Sequence, residues 1–201
     1  MPFSLEKKTC VITGASSGIG LAIAKTFFEN GGKVMMLDLN RDQLDQARRN
    51  ILADAETGGK KQSLIEGFVC DVTNEQTVET CFAKIAKKYG RVDVLVNNAG
   101  ISSVGTVQNC TEEEFDRVYR VNVTGVFFCL KYAVNHMLAD GEGGAIVNLA
   151  SIASVIGLAD RFAYSMTKGA VLTMTLSVVS HSYLSFIILR FVYLLTLIDD
   201  L

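Results

Sequence analysis

The octet Thr13-Gly14-Ala15-Ser16-Ser17-Gly18-Ile19-Gly20 joins the apolar run Thr9 to Thr13 (TCVIT) directly to a stretch of helical period, Ile19 to Glu29. Glycines at such a junction let the backbone turn tightly and let helix and strand pack closely. They also let a phosphate group approach the N–H groups at the positive end of the helix. The remainder of the chain repeats the strand-then-helix order. Lys33 to Asp38 predicts a second strand, followed by a polar amphipathic helix from Arg41 to about Ala55 and a loop over Glu56 to Lys61. Leu64 to Cys70 predicts a third strand, and the next helix opens at Asn74-Glu75 and closes at Tyr89-Gly90. Val92 to Val96 and Ala145 to Leu149 predict two more strands around one long helix, which starts at the capping-box pattern of Thr111 and Glu114 and reaches about Leu138. A last helix is predicted over roughly Arg161 to Val179. Apolar runs alternating with helices are the pattern of βαβ units and a parallel sheet.

Charge narrows the classes of partner. Nineteen basic residues stand against 21 acidic ones, a net charge of −2, with no basic footprint for nucleic acid. Five scattered cysteines form no CxxC pair and no Cys/His cluster of zinc-ligand spacing, so no metal site is expected. Such thiols are expected as small buried hydrophobes in a reducing compartment. The first eight residues carry no apolar stretch of signal-peptide type, which predicts a cytoplasmic protein.

Several residues fall at the carboxyl ends of the predicted strands, where an open α/β sheet binds its ligand. Asp38 ends the second strand 18 residues after Gly20, close to the offset at which an acid meets the ribose hydroxyls of a dinucleotide. A carboxylate there would repel a 2′-phosphate, favouring NAD, while Arg41 keeps NADP open. Asp71-Val72 follows the third strand; Asp71 can accept from an adenine amino group or cap the next helix. Asn97-Asn98-Ala99-Gly100 follows the fourth strand and can line a cofactor or form a turn. Tyr164 and Lys168, four apart, share a helix face, and Ser151 ends the fifth strand 13 residues earlier. Asn122 sits inside the long helix, where asparagine is unfavourable without a special task. Asp160 and Arg161 precede the Tyr164 helix and can touch substrate or cap the helix.

Taken in order, TGxxxGIG, the acid after the second strand, Asp-Val, NNAG, the helix asparagine, and Ser with Tyr-x-x-x-Lys resemble the short-chain dehydrogenase/reductase family over about residues 7 to 176. The resemblance implies a Rossmann-like, doubly wound parallel sheet in three α/β/α layers, with a nucleotide-binding domain over residues 1–180. It implies NAD-dependent interconversion of a secondary alcohol and a ketone. By that resemblance Gly14, Ser16, Ser17, Gly18, Ile19, Gly20, Asp38, Asp71, Val72, Asn98, Ala99, Gly100, Tyr164 and Lys168 border the cofactor. Tyr164 is then the general acid/base, Lys168 lowers its pKa and holds the nicotinamide ribose, Ser151 orients the substrate oxygen, and Asn122 serves a proton relay. A free phenol titrates near pH 10, so proton transfer at neutral pH requires positive charge beside it. The resemblance also implies a small-molecule substrate and pairing of two copies through the two long helices.

After about Leu176 the pattern is lost. Residues 181–201 form an apolar tail that lacks the proline-bearing loop and the lid that close the family's substrate site. Three readings of the tail stand open. It is an altered or truncated end without function, or a membrane anchor of 16 residues over Tyr183 to Ile198 with Arg190 at its centre, or a replacement sixth strand over Phe186 to Tyr193. Two functions follow: an active NAD-dependent oxidoreductase, or an inactive nucleotide-binding or dimerising product.

Overall fold

Side chains alternate between the two faces of a strand, and here each face collects its own apolar set. The computed structural model describes residues 3–54, 64–139 and 141–179, and the backbone of 187–192. From β1 (Thr9–Thr13), β2 (Lys33–Asp38) and β4 (Val94–Asn97), Val11, Met35, Leu37 and Leu95 pack on one face. They meet Phe82 and Ile85 of α3 (Glu75–Tyr89), Leu130 and Met137 of α5 (Gly125–Ala139), and Val171 of α6 (Phe162–Val179). The opposite face carries Ile12, Val34, Met36 and Val96 against Ala24 and Phe28 of α1 (Gly18–Glu29) and Leu44 and Ile51 of α2 (Arg41–Asp54). Fully burying each large side chain is worth about 1.5–3 kcal/mol, so both helical layers are held by the same central strands.

With β3 at Ile65–Val69, β5 at Gly144–Leu149 and β6 at Ile187–Val192, the sheet is parallel throughout, in the order β3-β2-β1-β4-β5-β6. The order reverses between β1 and β4, and the crevice at that point opens at the carboxyl ends of both strands. The expected doubly wound three-layer fold is therefore observed. The loop expected over 56–61 lies outside the described residues. Cys10, Cys70, Cys81 and Cys129 are free and buried as expected, whereas Cys110 is free and only half-buried.

Two elements differ from expectation. The single long helix is α4 (Glu112–Tyr119), a π turn (Arg120–Thr124) and α5, with the Gly125 N–H donating to the Arg120 carbonyl five residues back. Thr111 caps α4 as predicted, its hydroxyl accepting from the Glu114 N–H. Beyond Leu176, α6 continues to Val179, and β6 (Ile187–Val192) pairs with β5 from Gly144↔Ile187 to Leu149↔Val192. The replacement-strand reading describes this segment. The strand joins the same sheet on the far side of residue 180, where the sequence places the end of the domain. No helix among the described residues is long and apolar enough to cross a membrane.

Candidate active site

The glycine octet forms the turn that its composition requires. Gly14 and Gly18 have φ of +62° and +52°, in the left-handed region that side-chain-bearing residues avoid. A Cβ on Gly20 would overlap the Gly14 carbonyl, so this glycine lets the first turn of α1 sit on the loop. A Cβ on Gly18 would meet nothing within 4 Å, because that side faces a cleft. Thr13, the last residue of β1, ties the turn to β4: its Oγ1 accepts from the N–H groups of Asn98 at 3.1 Å and Ala99 at 3.0 Å. Asn98 returns the link, its amide donating to the carbonyls of Thr13 at 2.9 Å and Gly14 at 3.0 Å.

The cleft measures about 450 Å³. Gly14, Ser17, Gly18 and Ile19 line one side, while Asp71, Val72, Ala99 and Gly100 line the other. Asp38 stands at one end, its carboxylate accepting from the Ser16 N–H (3.0 Å), the Ser16 hydroxyl (2.6 Å) and the Leu39 N–H (2.8 Å). Among the described residues, no lysine or arginine lines this cleft. Asp71 does not cap α3. Asn74 does so, accepting from the Thr77 N–H at 3.1 Å, while Asp71 accepts from the Thr73 N–H and hydroxyl in the turn before it. Ser16 and Gly20 do not line the cleft; one braces Asp38 and the other lets the helix close on the loop.

A second cavity of about 210 Å³ adjoins the first, sharing Ile19, Asn98, Gly100 and Ile101 and adding Tyr164 and Lys168. Lys168 is only 8% exposed. Its Nζ donates to the Leu149 carbonyl at the end of β5 at 2.7 Å and stands 5.8 Å from the centre of the Tyr164 ring. Burial pushes its ammonium down to a pKa of about 8. Ser151 begins a single 3-10 turn (Ile152–Ser154) and accepts from the Ala153 N–H at 3.2 Å, leaving its hydroxyl proton outside that bond. Ser154 links this turn to α6: its hydroxyl accepts from the Ser151 N–H and donates to the Lys168 carbonyl at 3.0 Å.

Asn122, 1% exposed in the π turn, grips the backbone of Ile101 from both sides. Its Oδ1 accepts from the Ile101 N–H at 2.8 Å, and its Nδ2 donates to the Ile101 carbonyl at 2.9 Å and to Thr167 Oγ1 at 3.0 Å. Thr167 in turn donates to the Tyr164 carbonyl at 2.8 Å. Asn122 thus connects the loop after β4 to the helix that carries Tyr164 and Lys168. Neither Asn122 nor Ser151 lines either cavity, whereas Tyr164 and Lys168 line the second. Sequence reasoning missed Thr13, Ser154 and Thr167 as positioning residues. Thr13 was open to detection as the hydroxyl that ends the strand before the glycine turn, but Ser154 and Thr167 carry no spacing signal.

Residues 8–185 match the family described as short chain dehydrogenase, nine residues past the limit read from the sequence motifs. The chain is similar to 2-(R)-hydroxypropyl-CoM dehydrogenase of Xanthobacter autotrophicus, with 41% identity over 85% of this chain and 67% of the relative. It is similar to sorbitol dehydrogenase of Cereibacter sphaeroides, with 35% identity over 86% of this chain and 64% of the relative. Among solved structures, a short chain dehydrogenase from Mycobacterium smegmatis superposes with a TM-score of 0.85 at 30% identity, covering 94% of this chain and 77% of that one. An NAD+-bound xylitol dehydrogenase gives a TM-score of 0.80 at 34% identity, covering 88% and 65%. The chain spans about two thirds of the length of the curated relatives it matches. The match over residues 8–185, with 41% identity to a relative of which the chain covers 67%, shows the lineage, and this chain belongs to the short-chain dehydrogenase family of oxidoreductases.

Proposed function

We propose that this chain is an NAD-dependent oxidoreductase that interconverts a secondary alcohol and a ketone, with Tyr164 as general acid/base. The observation that carries the reading is Lys168, a cation held 8% exposed beside the Tyr164 ring, in a cavity continuous with the cleft at the glycine turn. A buried ammonium without a carboxylate partner is costly, and its use is to favour negative charge on a neighbouring group.

The residues fit a dinucleotide. The N–H groups at the start of α1, open at Gly18, suit a pyrophosphate, and Asp38 suits paired ribose hydroxyls, with Ser16 already donating to it. Asp71 and Val72 would border the adenine, and Asn98, Ala99, Gly100 and Lys168 the nicotinamide half. The carboxylate of Asp38 and a lining without Arg or Lys among the described residues favour NAD over NADP, as does the NAD+ carried by the xylitol dehydrogenase neighbour. When bound, the nicotinamide supplies hydride acceptance and return.

The protein's own groups divide the remaining work. Tyr164 Oη takes the alcohol proton in oxidation and gives it back in reduction. Lys168 favours the phenolate during that transfer. Ser151 Oγ, whose proton is not used in its bond to Ala153, donates to the substrate oxygen as charge develops there. Asn122 acts through Ile101 and Thr167, holding the cavity wall and the Tyr164 helix in register. Two copies would pair through α5 and α6, whose outer surfaces form an apolar hollow of about 400 Å³ around Phe127, Val134 and Met174.

The test compares NAD binding and alcohol oxidation in the wild-type chain and Tyr164→Phe. The expected result is unchanged NAD affinity with turnover reduced about 10²–10⁴-fold. Equal turnover by the two proteins would sink the assignment of Tyr164. NAD binding without any wild-type turnover would instead favour an inactive nucleotide-binding product.

A further inference from the structure

A row of polar side chains crosses the interior between sheet and helix, where apolar residues would pack without it. Asn97 of β4 and Asn148 of β5 are register partners, and both are buried, as is Thr175 of α6. Asn97 Nδ2 donates to Asn148 Oδ1 at 2.8 Å, Asn148 Nδ2 donates to Thr175 Oγ1 at 2.9 Å, and Thr175 Oγ1 donates to the Val171 carbonyl at 2.7 Å. The direction of the row is set at the helix. The Val171 carbonyl can only accept, so Thr175 uses its proton there and must accept from the amide of Asn148, which then turns its oxygen toward Asn97. The row ends on Asn97 Oδ1, which has no donor among the described residues. A buried oxygen without a donor is a penalty that valine or leucine at these positions would not carry.

What the row holds lies one residue further along β5. The Ala150 N–H donates to the Asn148 carbonyl at 3.1 Å, closing a tight turn with Leu149 at its centre. The Leu149 carbonyl is the acceptor that meets Lys168 Nζ at 2.7 Å, and Leu149 and Ala150 line the same cavity as Tyr164 and Lys168. Among the described residues no carboxylate lines that cavity, and Tyr164 is the other titratable group in it. Lys168, Val171 and Thr175 follow one another on α6 at spacings of three and four, so one face of the helix meets β5 at two levels. Thr175 rests on the side chain of Asn148, and Lys168 on the carbonyl of the next residue. A helix gripped at both levels cannot slide along the strand or turn on its axis without breaking a contact. Through Asn97 the same row reaches β4, where the next residue, Asn98, holds the glycine turn.

We propose that Asn148 is a positioning residue for the reaction: its amide ties α6 through Thr175 and β4 through Asn97, so that the turn it opens presents the Leu149 carbonyl to Lys168 and keeps the ammonium beside Tyr164. The proposal rests on the reading of Lys168 as the cation that serves Tyr164. Asn148 touches neither cavity and acts on the chemistry only through the lysine. A side chain with one donor and one acceptor end is what this place requires, since it must receive from Asn97 and give to Thr175 at once.

The test follows the titration of Lys168 by NMR of isotope-labelled lysine Cε in the full chain, the resonance being assigned by its loss in Lys168→Met. The wild type is expected to titrate at about 8. Thr175→Val keeps the shape of the side chain and removes its hydroxyl, whereas Thr175→Ser keeps the hydroxyl and removes a methyl. The first is expected to move the titration by about one pH unit or more toward the ordinary lysine value, as the ammonium leaves its carbonyl for solvent, and the second to leave it in place. Asn148→Ala is expected to move it at least as far as Thr175→Val. Were the row mere packing, the order of the two Thr175 variants would reverse. A shift in Thr175→Ser as large as that in Thr175→Val therefore overturns the proposal, and so does a wild-type titration in Thr175→Val or Asn148→Ala. Either result leaves the reading of Tyr164 and Lys168 standing. A wild type that titrates at the ordinary 10.5 removes that reading and the proposal together.

Discussion

Lys168 shows how a single residue carries both a cost and a use. Its ammonium has one hydrogen-bond partner among the described residues, the Leu149 carbonyl, and burial lowers its pKa from 10.5 to about 8. Between those values the unfolded chain binds more protons than the folded one, so stability rises with pH across that window. Below about pH 8 the penalty of burying the charge is present in full, and it fades as pH approaches 10.5. Lys168→Met removes the titration, while the Leu149 carbonyl loses its partner equally at every pH. Denaturant unfolding of both proteins at pH 7 and pH 9.5 is therefore expected to show the wild type gaining about 2 kcal/mol relative to Lys168→Met. Parallel stability curves would mean that the ammonium is not desolvated as the fold indicates. The pair Tyr164 and Lys168 was legible because a four-residue spacing fixes a shared helix face. The carbonyl that meets the lysine was not, because β5 and α6 come together only in the folded chain.

At the scale of elements, the glycine turn separates two tasks that look identical in sequence. Gly20→Ala would press its methyl against the Gly14 carbonyl and 2.5 Å from Asn98 Nδ2, so thermal unfolding is expected to report a loss of about 1–3 kcal/mol. Gly18→Ala places its methyl in open space, and its cost is the left-handed backbone, about 1–2 kcal/mol. Its larger effect is expected in NAD titration, since that open side is the approach to the N–H groups of α1. A ratio of NAD dissociation constants no greater for Gly18→Ala than for Gly20→Ala would count against the cradle. The π turn is the second such element. Asn122→Leu leaves the Ile101 N–H and carbonyl without their partner in a partly buried setting, at no more than about 1–3 kcal/mol for each group. Amide exchange at Ile101 is expected to quicken well beyond the global change; protection equal to wild type would show that the grip is dispensable. Strand and helix types were legible because period 2 and period 3.6 differ along the chain. The π turn was not, since one inserted residue leaves the apolar pattern of Val118, Val123 and Val126 nearly intact. Asn122 itself hinted at it, as a polar residue where a helix has no use for one.

On the scale of the whole molecule, the sheet order sets where everything else can be. Reversal between β1 and β4 opens the crevice, and the parallel direction brings Asp38, Asp71, Asn98 and Ser151 to one edge despite their spread along the chain. Parallel pairing at β5 continues into β6, so the sheet edge beside the Lys168 helix is extended by a strand that the family motifs did not foretell. The same apolar run was readable as a membrane span or as a strand, because hydropathy alone does not distinguish burial in lipid from burial between layers. An exposed apolar surface lies on α5 and α6, where Phe127 is 48% exposed and Leu176 52% exposed. A stable pairing of two such surfaces would need to bury about 1,200–2,000 Å² in total, and two antiparallel pairs of long helices can supply that only if their centre stays uncharged. Phe127→Glu with Leu176→Glu introduces four carboxylates into the joint of two copies, while each substituted side chain is already half in solvent in the single chain. Sedimentation is therefore expected to give twice the 21.8 kDa chain mass for the wild type and the single mass for the double variant, with NAD affinity unchanged. A wild type that sediments as one chain at micromolar concentration, or a variant that stays paired, would place the dimer contact elsewhere or remove it.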